Sequence, residues 1–130
     1  MFQQDTNEKK IKYFHPTCTC PVRQVISRLG DKWTMLVLVT LESNGTMRFS
    51  ELQKAIGDIS QRMLAVTLRS LEADGFVGRV VYPEVPPRVE YSITDMGLSL
   101  MPHLQNLIGW AVDNFNDITE QRERFLQASR

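Results

Sequence analysis

The stretch Ile59–Phe76 carries both the start and the stop signal of a helix. Ser60 is a favourable N-cap, because its hydroxyl can accept a hydrogen bond from an otherwise unpaired amide of the first turn. The residue before it and Leu64 have the spacing of a hydrophobic staple. At the far end, Gly75 suits the left-handed position that follows a helix, and the next residue can close back as in a Schellman ending. The sequence therefore predicts a helix with well-defined ends.

The two faces of this predicted helix differ in chemistry. At helical spacing, the residues of one face are suited to a core: Met63, Leu64, Thr67, Leu68 and Leu71. The other face carries arginines and small residues, with a glutamine at its edge: Gln61, Arg62, Ala65, Val66 and Arg69. This composition suits a helix that enters a DNA major groove, since Arg and Gln bind base edges and small side chains allow close approach. The alternative is an ordinary amphipathic surface helix.

Length and composition indicate one soluble globular domain. The chain has 130 residues, 42% of them hydrophobic, and 15 basic against 15 acidic residues. Zero net charge counts mildly against a nucleic-acid binder, although a local basic face can supply phosphate contacts. No apolar run has the roughly 18 residues that a membrane helix needs, and the N-terminus lacks the pattern of a signal peptide. We therefore expect a cytoplasmic protein without membrane contact, in which two cysteines are free thiols.

Helical patterns precede the central stretch. One begins at Pro21 and runs to Gly30, and Asp31 can cap a second, which ends at the turn Asn44-Gly45. The predicted buried face of this second helix is Trp33, Leu36, Val37, Thr40 and Leu41. After a short extended piece at residues 46–48, Ser50 and Gln53 form the capping box of a third helix. A tight connection then leads into the central helix, which makes the pair a helix-turn-helix candidate.

After Gly75 the hydrophobic period changes from helical to alternating. The segments 76–82 and Arg88–Ile93 both alternate, and the proline-rich segment between them must be a loop. A hairpin directly after a helix-turn-helix is the winged-helix arrangement. The alternative is a hairpin that merely closes a small α+β core.

A long helix follows, with Thr94 or Asp95 as its cap and Pro102 as a point of bending or a later start. Apolar residues recur along it at spacings of three and four: Met101, Leu104, Ile108, Ala111, Phe115 and Ile118. This heptad-like seam predicts a homodimer built on the helix. The alternative is a helix packed wholly on its own domain.

The predicted fold class is mainly α (α+β): a winged helix-turn-helix with a two-stranded wing and a long C-terminal dimerisation helix. Its parts are an N-terminal arm (1–17), the DNA-binding domain (18–94) and the C-terminal helix region (95–130).

With these elements in place, the chain resembles the HxlR-type family of winged-helix transcription regulators over about residues 18–115. The matching motifs are Cys20-Pro21-Val22, Gly30-Asp31-Lys32-Trp33, Arg48-Phe49-Ser50-Glu51-Leu52, Ile59-Ser60-Gln61-Arg62-Met63-Leu64, Leu68-Arg69-Ser70-Leu71-Glu72-Ala73-Asp74-Gly75, and Pro86-Pro87-Arg88-Val89-Glu90-Tyr91-Ser92-Ile93-Thr94. The resemblance implies a homodimeric regulator that binds double-stranded DNA and places one recognition helix of each protomer in a major groove. The chain departs from the common pattern in its extra Cys18 and in having no excess positive charge.

Position along the elements assigns the candidate DNA contacts. Groove-reading residues cluster at the N-terminal end of a recognition helix, which favours Gln61 and Arg62 for base readout. Six further residues are predicted near phosphates or the minor groove: Ser60, Arg69, Arg88, Arg79, Arg48 and Lys54. For each arginine and for the lysine the alternative is a solvated surface charge.

Cys20 precedes Pro21 at the start of the first predicted helix, where unpaired amides and the helix dipole stabilise a thiolate. Family members with a cysteine at this position include sensors of quinones, aldehydes or oxidants, so the resemblance makes Cys20 the candidate sensor and Cys18 a second reactive group. The two cannot easily bridge each other, because a disulfide needs closely facing Cβ atoms. The alternative is an inert cysteine that caps the helix.

Other classes of function find little support. His15, Cys18 and Cys20 lack the fourth ligand of a closed tetrahedral site, so no metal is predicted. No catalytic set or nucleotide-binding glycine motif is present, so no cofactor and no enzymatic activity are predicted. The remaining rivals are a thiol peroxidase-like activity and a winged helix used for protein contacts without specific DNA binding.

Overall fold

The computed structural model describes residues 21–129, which form five helices and three strands. The helices are α1 (Pro21–Leu29), α2 (Lys32–Asn44), α3 (Phe49–Ile56), α4 (Gln61–Ala73) and α5 (Asp95–Ala128). The strands are β1 (Met47–Arg48), β2 (Val77–Tyr82) and β3 (Arg88–Ile93). The predicted N-terminal arm and both cysteines lie outside the described residues.

The core forms where α2, α3 and α4 meet, and it is closed by the strands and the first half of α5. Its buried apolar residues are Val37, Leu38, Leu41, Met47, Leu52, Ile59, Leu64, Leu68, Leu71, Val77, Met101 and Leu104. One continuous cluster therefore joins the helices to the start of the long helix, so the described residues share a single core.

Helix α2 begins as predicted, and its buried face agrees with the prediction only in part, at Val37 and Leu41. The carboxylate of Asp31 accepts a hydrogen bond from the amide of Trp33 at 3.0 Å, which confirms the cap. The buried residues are Thr34, Val37, Leu38 and Leu41. The prediction of Leu36 as buried is wrong, since its side chain is 44% exposed. Almost every position between Trp33 and Leu41 is apolar, so periodicity alone does not select the inward face.

Helix α3 begins at Phe49, so the predicted capping box of Ser50 and Gln53 is wrong. The amide of Arg48 instead donates to the Glu51 carboxylate at 3.3 Å, two residues earlier than predicted. The Gln53 side chain donates to the carbonyl oxygen of Ile59 at 3.4 Å and thereby spans the turn between α3 and α4. Strand pairing explains the shift, because β1 holds the chain extended through Arg48 and the helix starts directly after it.

The hairpin has the predicted second strand and loop, but the sheet is larger than a two-stranded wing. Strands β2 and β3 are antiparallel, from Val77 opposite Ile93 to Tyr82 opposite Arg88. Strand β1 pairs with the other edge of β3, which gives a three-stranded antiparallel sheet in the order β1-β3-β2. The third strand ties the helix-turn-helix to the wing.

Helix α5 begins at Asp95 and continues through Pro102, so the proline does not shift its start. Pro102 has no N–H group, and the helical partner of the Leu98 carbonyl is therefore missing. Thr94 is the cap, because its hydroxyl oxygen accepts from the amide of Gly97 at 3.1 Å. No helix within residues 21–129 is long and apolar enough to cross a membrane.

Thr94 also joins α5 to the end of α4. Its hydroxyl donates to the carbonyl oxygen of Gly75 at 2.6 Å, and its amide donates to that of Phe76 at 3.0 Å. Thr94 is consequently the residue at which the end of α4, the two ends of the hairpin and the start of α5 meet.

Candidate nucleic-acid interface

Helix α4 has the ends that the sequence predicts. The Ser60 hydroxyl accepts from the amide of Met63 at 3.1 Å. Gly75 adopts a φ of 83°, and the amide of Phe76 donates to the carbonyl oxygen of Leu71 at 3.0 Å, which is the long hydrogen bond of a Schellman ending. These local hydrogen bonds fix where the helix begins and ends, and therefore which residues form its first turn.

The core fixes the rotation of α4 about its axis. Leu64, Thr67, Leu68 and Leu71 are buried, in agreement with the prediction. Met63 was predicted to be buried with them and is 39% exposed, because it lies in the first turn at the margin of the core. The opposite edge faces solvent and consists of Gln61, Arg62, Ala65, Val66 and Arg69. We call these five residues the α4 edge.

Further cations lie on the elements around α4. Arg48 ends β1 and Lys54 lies in α3, and both are exposed. Arg79 of β2 is exposed and lines one groove together with Arg69, Glu72 and other residues of α4 and β3. The structure thus brings two of the predicted phosphate contacts, Arg69 and Arg79, to one groove between α4 and the sheet.

Arg88 differs from the other predicted contacts because its guanidinium already lies beside two carboxylates. Its Nη2 atom lies 3.4 Å from a carboxylate oxygen of Glu84, and its Nε atom lies 3.4 Å from one of Glu90. The guanidinium carbon lies 4.1 Å from the centre of the Tyr82 ring, which is a cation–π distance. This arrangement was not predicted, although the spacing of the three charged residues along the wing was available as a signal.

The predicted dimer seam divides between the core and the surface. Met101 and Leu104 are 1% and 6% exposed and pack within the chain's own core, so they offer no surface to a second copy. Ile108 is half-buried, whereas Ala111 and Phe115 are exposed. The seam is apolar at its start because the first turns of α5 complete the protomer. This corrects the interface predicted for those first residues.

Beyond those turns, α5 carries many exposed apolar side chains. The large ones are Leu107, Trp110, Val112, Phe115, Ile118, Phe125 and Leu126. Four of them, at positions 107, 110, 118 and 125, fall on one side of the helix at 3.6 residues per turn. A stripe of this length is more than scattered surface residues and is typical of an interaction surface.

A helix-turn-helix with a solvent-facing polar edge, followed by a hairpin, defines the class of winged helix-turn-helix proteins. A model described as HxlR-like helix-turn-helix matches residues 28–119. The chain therefore belongs to the HxlR-like family, as its resemblance implies, and is a transcriptional regulator of the helix-turn-helix type. The match begins at Arg28, after both cysteines.

Individual relatives agree with the family match. The chain is 50% identical over 91 residues to a helix-turn-helix transcriptional regulator of Methanothermobacter thermautotrophicus, covering 70% of this chain and 69% of the relative. Among solved structures it is similar to the transcriptional regulator YtfH of Salmonella typhimurium, with 43% identity, a TM-score of 0.72, and coverage of 81% and 93%. It is also similar to the redox regulator HypR in its oxidised form, with 41% identity, a TM-score of 0.66, and coverage of 73% and 97%.

Proposed function

We propose that this chain is a sequence-specific DNA-binding regulator that binds a pseudo-palindromic operator as a homodimer. One observation carries the proposal: the α4 edge is exposed and polar at its N-terminal end, while the opposite side of α4 is locked into the core. A recognition helix needs this combination, because its base-reading side chains must be held in a fixed direction. Gln61 and Arg62 read base edges in this proposal, since they occupy the first turn.

The phosphate contacts come from residues around that turn. The Ser60 oxygen accepts from the Met63 amide, which leaves the hydroxyl hydrogen free to donate to a phosphate. Arg69 and Arg79 line one groove beside α4, and Arg48 and Lys54 are exposed on the neighbouring elements. With zero net charge overall, DNA affinity depends on this local group of cations and falls steeply with salt.

The homodimer brings two α4 edges to one side of the duplex. Two half-sites one helical turn apart require the recognition helices to lie roughly 34 Å apart. The exposed apolar stripe of α5 supports a second copy of this chain as the partner. In this proposal residues 18–94 form the DNA-binding domain and residues 95–130 the dimerisation region.

DNA selection followed by affinity measurement tests the proposal. The wild-type protein enriches a duplex from a random pool, and fluorescence anisotropy gives Kd across a salt series. Arg62→Ala costs about 1–3 kcal/mol of specific binding and relaxes one base position. Arg124→Ala is the matched control, because Arg124 is an exposed arginine that lies outside the helix-turn-helix and the wing. Enrichment of no sequence, or unchanged Kd for Arg62→Ala, contradicts the assignment and favours a protein-contact module.

We further propose Cys20 as the sensor of an oxidant or electrophile, with Cys18 as the second thiol. HypR, 41% identical, is described as a redox regulator, which supports this proposal for the present chain. Diamide treatment should change the operator affinity of the wild type and of Cys18→Ser. It should leave the operator affinity of Cys20→Ser unchanged. If diamide changes the operator affinity of the wild type and of Cys20→Ser equally, Cys20 is not the sensor.

A further inference from the structure

The wing carries a charge arrangement that does not suit a phosphate-binding wing. In the segment Tyr82–Glu90 the charged residues are Glu84, Arg88 and Glu90, so two carboxylates face one guanidinium. Glu90 is only 24% exposed and Glu84 is 52% exposed. Without compensation, both carboxylates would repel the backbone of a duplex beside the wing.

Arg88 lies beside both carboxylates and offsets one of their two negative charges. It lies on β3 directly opposite Tyr82, stacks on that ring at 4.1 Å, and reaches Glu84 and Glu90 with separate nitrogen atoms at 3.4 Å. Its side chain is 29% exposed. A phosphate that approached Arg88 would meet the negative charge of both neighbouring carboxylates, which makes Arg88 a poor direct ligand for DNA.

The tip of the wing, beyond this cluster, is uncharged. Val85 is fully exposed and is followed by two prolines. Apolar side chains, including proline, are the groups that proteins insert into the minor groove, where no phosphate lies on the groove floor. The tip therefore suits van der Waals contact in a minor groove, provided that the negative charge of the neighbouring carboxylates is reduced.

We propose that Arg88 is a positioning residue of the wing: it offsets one of the two negative charges of Glu84 and Glu90 and holds the hairpin by stacking on Tyr82, so that the Val85 tip enters the minor groove. This inference rests on the proposed function and replaces the assignment of Arg88 as a phosphate contact. It assigns the DNA contact of the wing to an uncharged tip.

A charge-rescue series tests the neutralising role on the duplex that the wild type enriches. Arg88→Gln weakens binding roughly tenfold, because two unpaired carboxylates then face the DNA. Adding Glu84→Gln and Glu90→Gln to that variant restores Kd to the wild-type value or tighter, since no repelling charge remains whereas the wild-type cluster keeps one net negative charge. If the triple variant stays as weak as Arg88→Gln and the salt slope falls by about 0.9, Arg88 is a phosphate ligand and the proposal is wrong.

The tip is tested separately at Val85. Because this residue is fully exposed, substitutions there should leave the fold intact. Val85→Glu loses affinity, whereas Val85→Ser, which is polar but uncharged, retains most of it. Equal binding by wild type and Val85→Glu overturns the minor-groove contact. Thermal melting establishes whether each variant is folded. If Arg88→Gln does not fold, Glu84→Gln replaces it as the test, and the proposal then requires that this variant bind DNA as tightly as the wild type or more tightly.

A measurement without DNA separates this inference from the proposed function. In the NMR spectrum of the free protein, stacking on Tyr82 moves the Arg88 side-chain protons upfield, and Tyr82→Leu removes that shift. Enrichment of no duplex by wild type refutes the proposed function, and the DNA-contacting part of this inference falls with it. An absent ring-current shift refutes the stacked Arg88 whatever the DNA result.

Discussion

The Nη1 atom of Arg28 lies 2.8 Å from a carboxylate oxygen of Asp74, and this ion pair joins α1 to the residue that ends α4. A carboxylate at the C-terminal end of a helix is disfavoured by the helix dipole, so Arg28 offsets an unfavourable charge as well as bridging two elements.

Arg28→Ala is therefore expected to lower the free energy of unfolding by about 0.2–1 kcal/mol, as for other solvent-accessible ion pairs. In an Asp74→Asn background the same change should have almost no effect. Urea denaturation of the four proteins of this double-mutant cycle measures the coupling. Equal effects of Arg28→Ala in both backgrounds would show that the pair contributes nothing.

Ser60 allows helix capping to be separated from DNA binding. Ser60→Ala removes the acceptor of the Met63 amide and should cost about 1 kcal/mol of stability. Ser60→Asp keeps a capping acceptor and suits the helix dipole, so stability is retained, while its charge repels the phosphates. Thermal melting and operator Kd, measured on both variants, give the two readouts. Tight operator binding by Ser60→Asp would place Ser60 away from the DNA.

Two glycines of α5 make a matched pair. A Cβ atom at Gly97 would meet the carbonyl oxygen of Phe76 and lie 2.5 Å from the Cγ1 atom of Ile93, whereas one at Gly109 would have no neighbour within 4 Å. Gly97→Ala should destabilise the protein by about 1–3 kcal/mol through overpacking. Gly109→Ala should stabilise it by about 0.5–1 kcal/mol, because alanine is the better helix former. Calorimetric Tm values check both signs.

Leu38 and Leu36 test the observed rotation of α2. Leu38 is fully buried and Leu36 is 44% exposed. Leu38→Ala should cost about 2–5 kcal/mol, and Leu36→Ala much less, since it leaves no enclosed cavity. Chemical denaturation of the two variants measures the difference. The reverse order would restore the face predicted from periodicity.

The exposed stripe of α5 makes the homodimer testable. Ile118→Glu places a charge within the stripe and should shift the protein from a dimer to the 15.0 kDa monomer. Val112→Glu is the control, because Val112 is exposed but lies outside the stripe. Sedimentation velocity at micromolar concentration distinguishes the species. A wild type that sediments as 15.0 kDa alone removes the dimer from the proposed function.

The features that sequence predicted best are those with local causes. The cap at Ser60 and the Schellman ending at Gly75 depend on residues within one turn of each helix end, and both are confirmed. The alternation along β3 predicted its span correctly for the same reason. Exposure of Arg62 followed once the buried face of α4 was known.

The features that were missed depend on contacts between distant segments. Pairing of Met47 with Tyr91 creates the third strand and moves the start of α3, and no local pattern encodes it. The seam of α5 revealed apolar residues but not their partner, so Met101 was assigned to a dimer although it completes the core. The stacking of Arg88 on Tyr82 was hidden for the same reason, since it depends on pairing across the hairpin, whereas the carboxylates of Glu84 and Glu90 lie within four residues of Arg88 in the sequence.

The hydrogen bonds of Thr94 to Gly75, Phe76 and Gly97 have a mechanical consequence. A tilt of the long helix about this threonine carries the end of α4 and the base of the hairpin with it, because all three are fastened to the same side chain and amide. In the proposed dimer on DNA, a change of angle between the two subunits would therefore move the proposed major-groove and minor-groove contacts together.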